Sequence, residues 1–169
     1  MVIVKVGDLA PDFELPEASE HIVRLSEEIR KGTVVLVFYP TDWGVICTLE
    51  MKAFQEIVKD IETAGAHILG ISVNSTTSHR AWREQMGIDW SLLSDVGGSV
   101  SLLYGILTPD GRFMAGHAER SVFVIGGDSI PARTLGEIDL LQIAPTLADV
   151  IGIELPQAES KSLWPSISR

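Results

Sequence analysis

Cysteine is nearly absent from this chain: Cys47 is the only one in 169 residues. A single cysteine excludes an internal disulfide and leaves no cysteine-based metal site. Positive charge is scarce as well. Thirteen Lys and Arg stand against 23 Asp and Glu, for a formal net charge of −10. A chain so charged repels nucleic-acid phosphates and anionic lipid alike. No apolar run approaches the length of a membrane span. The opening residues, "MVIVKVGDLAPDFELP", lack the basic stretch, long apolar core and small-residue cleavage site of a secretory signal. Internal repeats and low-complexity linkers are missing too. These absences point to a reduced, cytoplasmic protein, with neither nucleic acid nor membrane among its expected partners.

What is present is ordinary for a globular domain: 46% apolar and 21% charged residues. The length suits one domain, expected to span residues 1–169. "TVVLVFY" (33–39) is a continuous β-branched and aromatic run, the pattern of a strand buried on both faces. Met51, Phe54, Ile57, Val58 and Ile61 then recur at helical spacing, with Gly65 placed to end the helix. "AHILGISV" (66–73) reads as a second buried strand. "SHRAWREQM" (78–86) reads as a helix with Ser78 at its N-cap. "SVSLLYG" (99–105) follows as a short helix, and "RSVFVI" (120–125) as a strand. "APTLADVIGI" (144–153) has the spacing of a last amphipathic helix, and Pro156 and Pro165 mark a loosely ordered tail. Strands alternating with helices predict an α/β layered fold with parallel pairs.

In this reading Cys47 begins the helix that follows the first buried strand, at the carboxyl edge where α/β sheets bind ligands. Unpaired N–H groups and the helix dipole favour thiolate there, and the thiolate is the nucleophile. A helix terminus contributes about 0.3–1 kcal/mol, or ~2 when partly buried. A thiol mostly ionised at neutral pH needs roughly 3.4 kcal/mol, so a cation must supply much of the rest. Against this stands the frequency with which free cysteine simply fills a core. The residues alone leave a reactive thiol and a buried structural one evenly weighted.

A resemblance tips that balance. "FYPTDWGVICTLE" resembles the active-site segment of the peroxiredoxins: proline, three residues, threonine or serine, two residues, peroxidatic cysteine. The spelling is most similar to the bacterioferritin-comigratory-protein group and one-cysteine relatives of the AhpC/TSA family. Pro40, Asp42, Cys47, Thr48 and Glu50 fall on that pattern, and "VGDLAPDFELP", "ILGISVNS", "AWREQMGI", "LLSDVGGSVSLLYGI" and "ERSVFVI" match in order. The similarity covers about residues 6 to 125. It implies a thioredoxin-like fold, a central mixed β-sheet flanked by helices, and a peroxidase that needs no cofactor or metal. Cys47 would attack a hydroperoxide and become a sulfenic acid. Arg120 matches the arginine that stabilises the thiolate and binds peroxide oxygen, which is the cation required above. Pro40 would shield the thiolate from water, and Glu50 matches a position with hydrogen-bonding duties.

Three departures qualify the resemblance. Gly44 stands where the family has its threonine, so the hydroxyl that contacts thiolate and peroxide is missing. Lys52 stands where many bacterioferritin-comigratory proteins place a resolving cysteine. A one-cysteine cycle with an external thiol is therefore expected, the reductant being thioredoxin, glutaredoxin or a low-molecular-weight thiol. Homodimers are common in the family. The third departure is the tail: "EIDLLQIAPTLADVIGIELPQAESKSLWP" (137–165) resembles the carboxyl end of alkaline phosphatase superfamily proteins. Four scattered histidines and no matching metal motif speak against phosphatase chemistry. Residues 126–169 are expected to form an atypical segment packing on the domain.

Other residues weigh toward structure. His117 near Arg120 could suggest a Cys–His hydrolase, but no oxyanion or orienting acid accompanies it. Trp43 is expected to pack over the helix, Trp82 and Trp90 to anchor the core, and Asp42 to fix its loop. The competing reading to a peroxidase is a peroxiredoxin-like redox sensor or binding scaffold with little turnover, kept open by Gly44.

Overall fold

The computed structural model of the chain describes residues 4–5 and 7–126. In chain order its elements are β1 (Glu14–Pro16), β2 (Ile22–Arg24), α1 (Leu25–Glu28), β3 (Thr33–Phe38), α2 (Val45–Thr63), β4 (Ala66–Ser72), α3 (Thr76–Met86), β5 (Ser91–Ser94), α4 (Ser99–Leu103) and β6 (Ser121–Ile125). β1 and β2 form an antiparallel hairpin. The remaining strands make one sheet in the order β5-β4-β3-β6. β3 and β4 are parallel, as are β4 and β5, whereas β6 runs antiparallel to β3. The predicted helix 144–153 and the phosphatase-like segment 137–165 lie outside the described residues.

β3 organises the molecule because alternate side chains point to opposite faces. Val35, Val37 and Tyr39 join Met51, Phe54 and Ile61 of α2 and Trp82 of α3 in one core. Val34, Leu36 and Phe38 join Phe13, Leu25 and Tyr104 in the other. Val34 through Tyr39 are all fully buried, which is why the run carries no polar alternation. Each such side chain contributes about 1.5–3 kcal/mol through burial. On β4, the ideal Cβ of any other residue at Gly70 would stand 2.8 Å from the Trp90 ring and 2.7 Å from Leu92. Glycine at that position lets the indole lie against the strand.

Two helix starts differ from the sequence-based expectation. α2 begins at Val45, so Cys47 is its third residue, with Gly44 at the N-cap. α3 begins at Thr76 and is capped by Ser75, whose hydroxyl accepts from the Ser78 N–H. Ser78 is therefore not the cap. Its own hydroxyl is taken by Asp42. Helix α2 ends as expected, with Gly65 at φ 77° just beyond its last turn.

The carboxyl ends of β3, β4 and β5 gather a group of buried polar residues: Asp42, Ser72, His79, Ser94 and Asp95. Asp95 caps α4, accepting from the N–H groups of Val100 at 3.0 Å and Ser101 at 2.8 Å. This end of the sheet carries the thiol.

Candidate active site

Cys47 reaches the sheet edge because the loop after β3 turns back into α2 within six residues, 39–44. The residue is 3% exposed and packs in the same core as Val37, Tyr39 and Met51. In the first turn of α2 it also sits among N–H groups that have no partner within the helix. Burial and reactive placement are thus not alternatives here, since one residue has both.

Arg120 and Cys47 are 73 residues apart, and strand register brings them together. Ser121 of β6 pairs with Phe38 of β3, so Arg120 arrives where β3 ends. Its Nη2 donates to Cys47 Sγ at 3.5 Å, and its Nη1 donates to Glu50 Oε2. Glu50 lies three residues after Cys47 on the same helix face and is 2% exposed. Its other oxygen, Oε1, is buried without a hydrogen-bond partner among the described residues. Burial pushes the Glu50 carboxyl up to about 7, with the Arg120 guanidinium pulling the other way. Burial also disfavours charge on Arg120, but Glu50 and Cys47 outweigh it and hold the guanidinium above its ordinary value. The guanidinium is therefore a permanent cation shared between a thiol and a carboxyl group.

Gly44 lies against the same sulfur. A Cβ built there would stand 3.3 Å from Cys47 Sγ and 3.5 Å from Thr41 Cγ2. Its φ of −65° and ψ of 136° are extended values open to any residue, so no backbone demand explains the glycine. Pro40 is half-buried at the start of the loop. Thr48 donates its N–H to the Gly44 carbonyl at 2.8 Å.

Asp42 is 3% exposed. Its carboxylate accepts from the Tyr39 hydroxyl at 2.9 Å and the Ser78 hydroxyl at 2.7 Å. His79 Nδ1 faces both carboxylate oxygens at 3.1 and 3.0 Å. The Asp42 N–H donates to Asn74 Oδ1 at 2.9 Å. Asp42 thus fixes the loop, as expected from the sequence. His79 was not singled out by the sequence reading. The available signal was its spacing, three residues before the core residue Trp82 on one helix face. Trp43 departs from the expected packing role: it is half exposed, holds a φ of 65°, and its indole N–H donates to the Ser78 hydroxyl at 3.3 Å. His117 faces the Ala115 carbonyl at 3.2 Å, which gives no Cys–His pair. Trp82 and Trp90 are core residues.

Comparison with known proteins agrees with this geometry. The model of the AhpC/TSA family matches residues 6–130. The chain is 34% identical over 137 residues to a chloroplastic 2-cysteine peroxiredoxin of Chattonella marina var. antiqua, covering 75% of this chain and 68% of that one. It is 28% identical over 151 residues to a putative peroxiredoxin bcp of Coxiella burnetii, covering 88% of this chain and 97% of the relative. Among solved structures, the peroxidoxin BcpB of Mycobacterium tuberculosis superposes with a TM-score of 0.66 at 34% identity, over 72% of this chain and 78% of that one. The chain spans only 62% and 49% of the barley and spinach chloroplast relatives' own lengths. With a family match over most of its length, a thioredoxin-like α/β sheet and a cysteine on the family motif, this chain belongs to the AhpC/TSA family as a peroxiredoxin, an oxidoreductase of the thiol peroxidase class.

Proposed function

We propose that this protein reduces hydrogen peroxide or small alkyl hydroperoxides at Cys47 and is recycled by an external thiol. The observation that carries the reading is the Arg120 guanidinium 3.5 Å from Cys47 Sγ. It supplies the cation that a helix terminus alone does not replace. The thiolate attacks one peroxide oxygen, an S–O bond forms, and the O–O bond breaks. The departing oxygen takes a proton and leaves as water or alcohol, and Cys47 becomes a sulfenic acid. Arg120 is positioned to donate to the departing oxygen, and Pro40 to limit water at the sulfur. With no second cysteine in the chain, an external thiol attacks the sulfenic sulfur and expels water, leaving a mixed disulfide. A second thiol then releases Cys47. Thioredoxin, glutaredoxin and low-molecular-weight thiols all fit that role, in a reducing cytoplasm. A homodimer is consistent with the family.

One equivalent of hydrogen peroxide is expected to make Cys47 reactive toward a sulfenic-acid trap, read by mass spectrometry. Stopped-flow kinetics provide the harder test. A rate constant no greater than that of an ordinary thiol would sink the peroxidase and favour a sensor or scaffold. We propose that residues 126–169 belong to the same domain as the rest of the chain. Deletion beyond Gly136 is then expected to give an insoluble or molten protein.

A further inference from the structure

Asp42 and His79 form the one pair of ionisable side chains, among the ion pairs of the described residues, in which both side chains are fully buried. The proton positions follow from the partners. His79 Nε2 lies 3.1 Å from the Leu93 carbonyl oxygen, which can only accept, so Nε2 carries a proton. Nδ1 lies 3.0 and 3.1 Å from the two Asp42 oxygens. The Tyr39 hydroxyl is 3.3 Å away, but its single proton goes to Asp42 at 2.9 Å. One proton stands between Nδ1 and the Asp42 carboxyl group, so the ring is tied to that side chain at one nitrogen and to a backbone carbonyl at the other.

That ring joins three elements: its own helix α3, the loop between β3 and α2 through Asp42, and β5 through Leu93. The loop needs such a tether. Trp43 sits in the left-handed region at φ 65°, a conformation that persists only where the surroundings enforce it. Gly44 provides no side-chain cap at the start of α2. Cys47 follows Asp42 by five residues, so a shift of the anchor carries the sulfur away from Arg120.

We propose that His79 is a positioning residue for the chemistry at Cys47: by bridging Asp42 and the Leu93 carbonyl, it fixes the loop from which α2 and its thiol start. The proposal rests on the reading of Cys47 as the reacting sulfur. His79 never touches the substrate and acts only through Asp42 and the loop.

The test compares wild type with His79→Gln in three measurements on the full chain: the stopped-flow rate with hydrogen peroxide, the rate of alkylation by iodoacetamide, and the melting temperature. A loosened loop should slow peroxide attack by about ten- to a hundredfold, because reacting geometry is lost. It should also speed alkylation severalfold, because a buried thiol becomes open to a neutral reagent. A residue that only adds stability would lower the melting temperature and leave both rates of the folded variant unchanged, and that result overturns the proposal. Proton NMR of the wild type should show a His79 Nε2–H signal protected from exchange, and a freely exchanging one would also overturn it. Asp42→Asn, which keeps the shape of the anchor without its charge, replaces His79→Gln where the latter does not fold. It should move both rates in the same directions by less, and unchanged rates overturn the proposal equally. A wild type without accelerated peroxide reduction would sink the peroxidase reading, while alkylation and ring signals would still decide whether His79 holds the thiol loop.

Discussion

Two carboxyl groups of equal burial stand on either side of the thiol loop, and they are treated in opposite ways. Asp42 is 3% exposed, and both its oxygens are engaged by hydroxyl groups and an imidazole. Glu50 is 2% exposed, with Arg120 on one oxygen and no partner on the other among the described residues. A fully satisfied buried network is rigid, whereas a partly satisfied one keeps an unmet demand for a proton or a donor. The difference separates the work of the site. The Asp42 side fixes the backbone, and the Glu50 side retains the electrostatic tension that reaches the sulfur through Arg120.

Removing the imidazole from the satisfied side should have the largest effect. His79→Leu leaves Asp42 and the Leu93 carbonyl buried without the ring's hydrogen bonds, and at about 1–3 kcal/mol for each orphaned group should cost roughly 2–6 kcal/mol of unfolding free energy in urea titrations. A loss below about 1 kcal/mol would show that the ring adds little to the anchor, erasing the contrast. The next test concerns Glu50. Its folded value of about 7 lies above the ordinary 4.5, so in that interval the folded state keeps a proton that the unfolded chain has released. The stabilisation is complete below about pH 4.5 and is lost as the pH rises through 7, amounting to about 3 kcal/mol. Glu50→Gln should remove that slope, so that its stability relative to wild type rises between pH 4.5 and 8. Parallel curves for the two proteins would mean that Glu50 is ionised throughout.

Arg120→Leu removes the bond that joins Glu50 to the thiol. Loss of a charge-assisted hydrogen bond of about 1.5–3 kcal/mol should slow peroxide reduction by roughly ten- to a hundredfold. Gly44→Thr is the mildest change. The extended backbone accepts threonine, and the new hydroxyl can cap the first turn for about a few tenths of a kcal/mol. The Cβ contact of 3.3 Å requires the sulfur to yield slightly. The expected gain is a severalfold faster reaction with peroxide at unchanged melting temperature. A stable variant with no gain would indicate that Thr48 or another group already makes the missing contact.

The sequence was most legible where burial is symmetrical. β3 could be read from its composition because both faces are core, and α2 from its apolar spacing. The orientation of β6 could not be read, since a five-residue strand carries no mark of direction. The connection 104–120 contains turns in place of the helix that a parallel crossover needs. The N-cap of α3 was misassigned because "NSTTS" offers several capping residues, and the competition for Ser78 comes from Asp42, 36 residues away. Cys47 and Arg120 could be joined beforehand only through the family resemblance, because their contact depends on register between distant strands. His79 escaped notice for the same reason: its partners, Asp42 and Leu93, are remote in sequence and reveal its role only together.

The half-exposed indole of Trp43 makes the loop visible to light. Trp82 and Trp90 are buried, at 1% and 5% exposure, where an indole emits to the blue of an exposed one. Trp43 is 49% exposed, with its N–H on Ser78. Its fluorescence therefore tracks the state of the segment between Asp42 and Cys47, so the molecule has an optical gauge built beside its sulfur. Replacing Trp164 with Phe removes the one other indole and leaves the loop as the variable emitter, so that oxidation and recycling can be followed without a label.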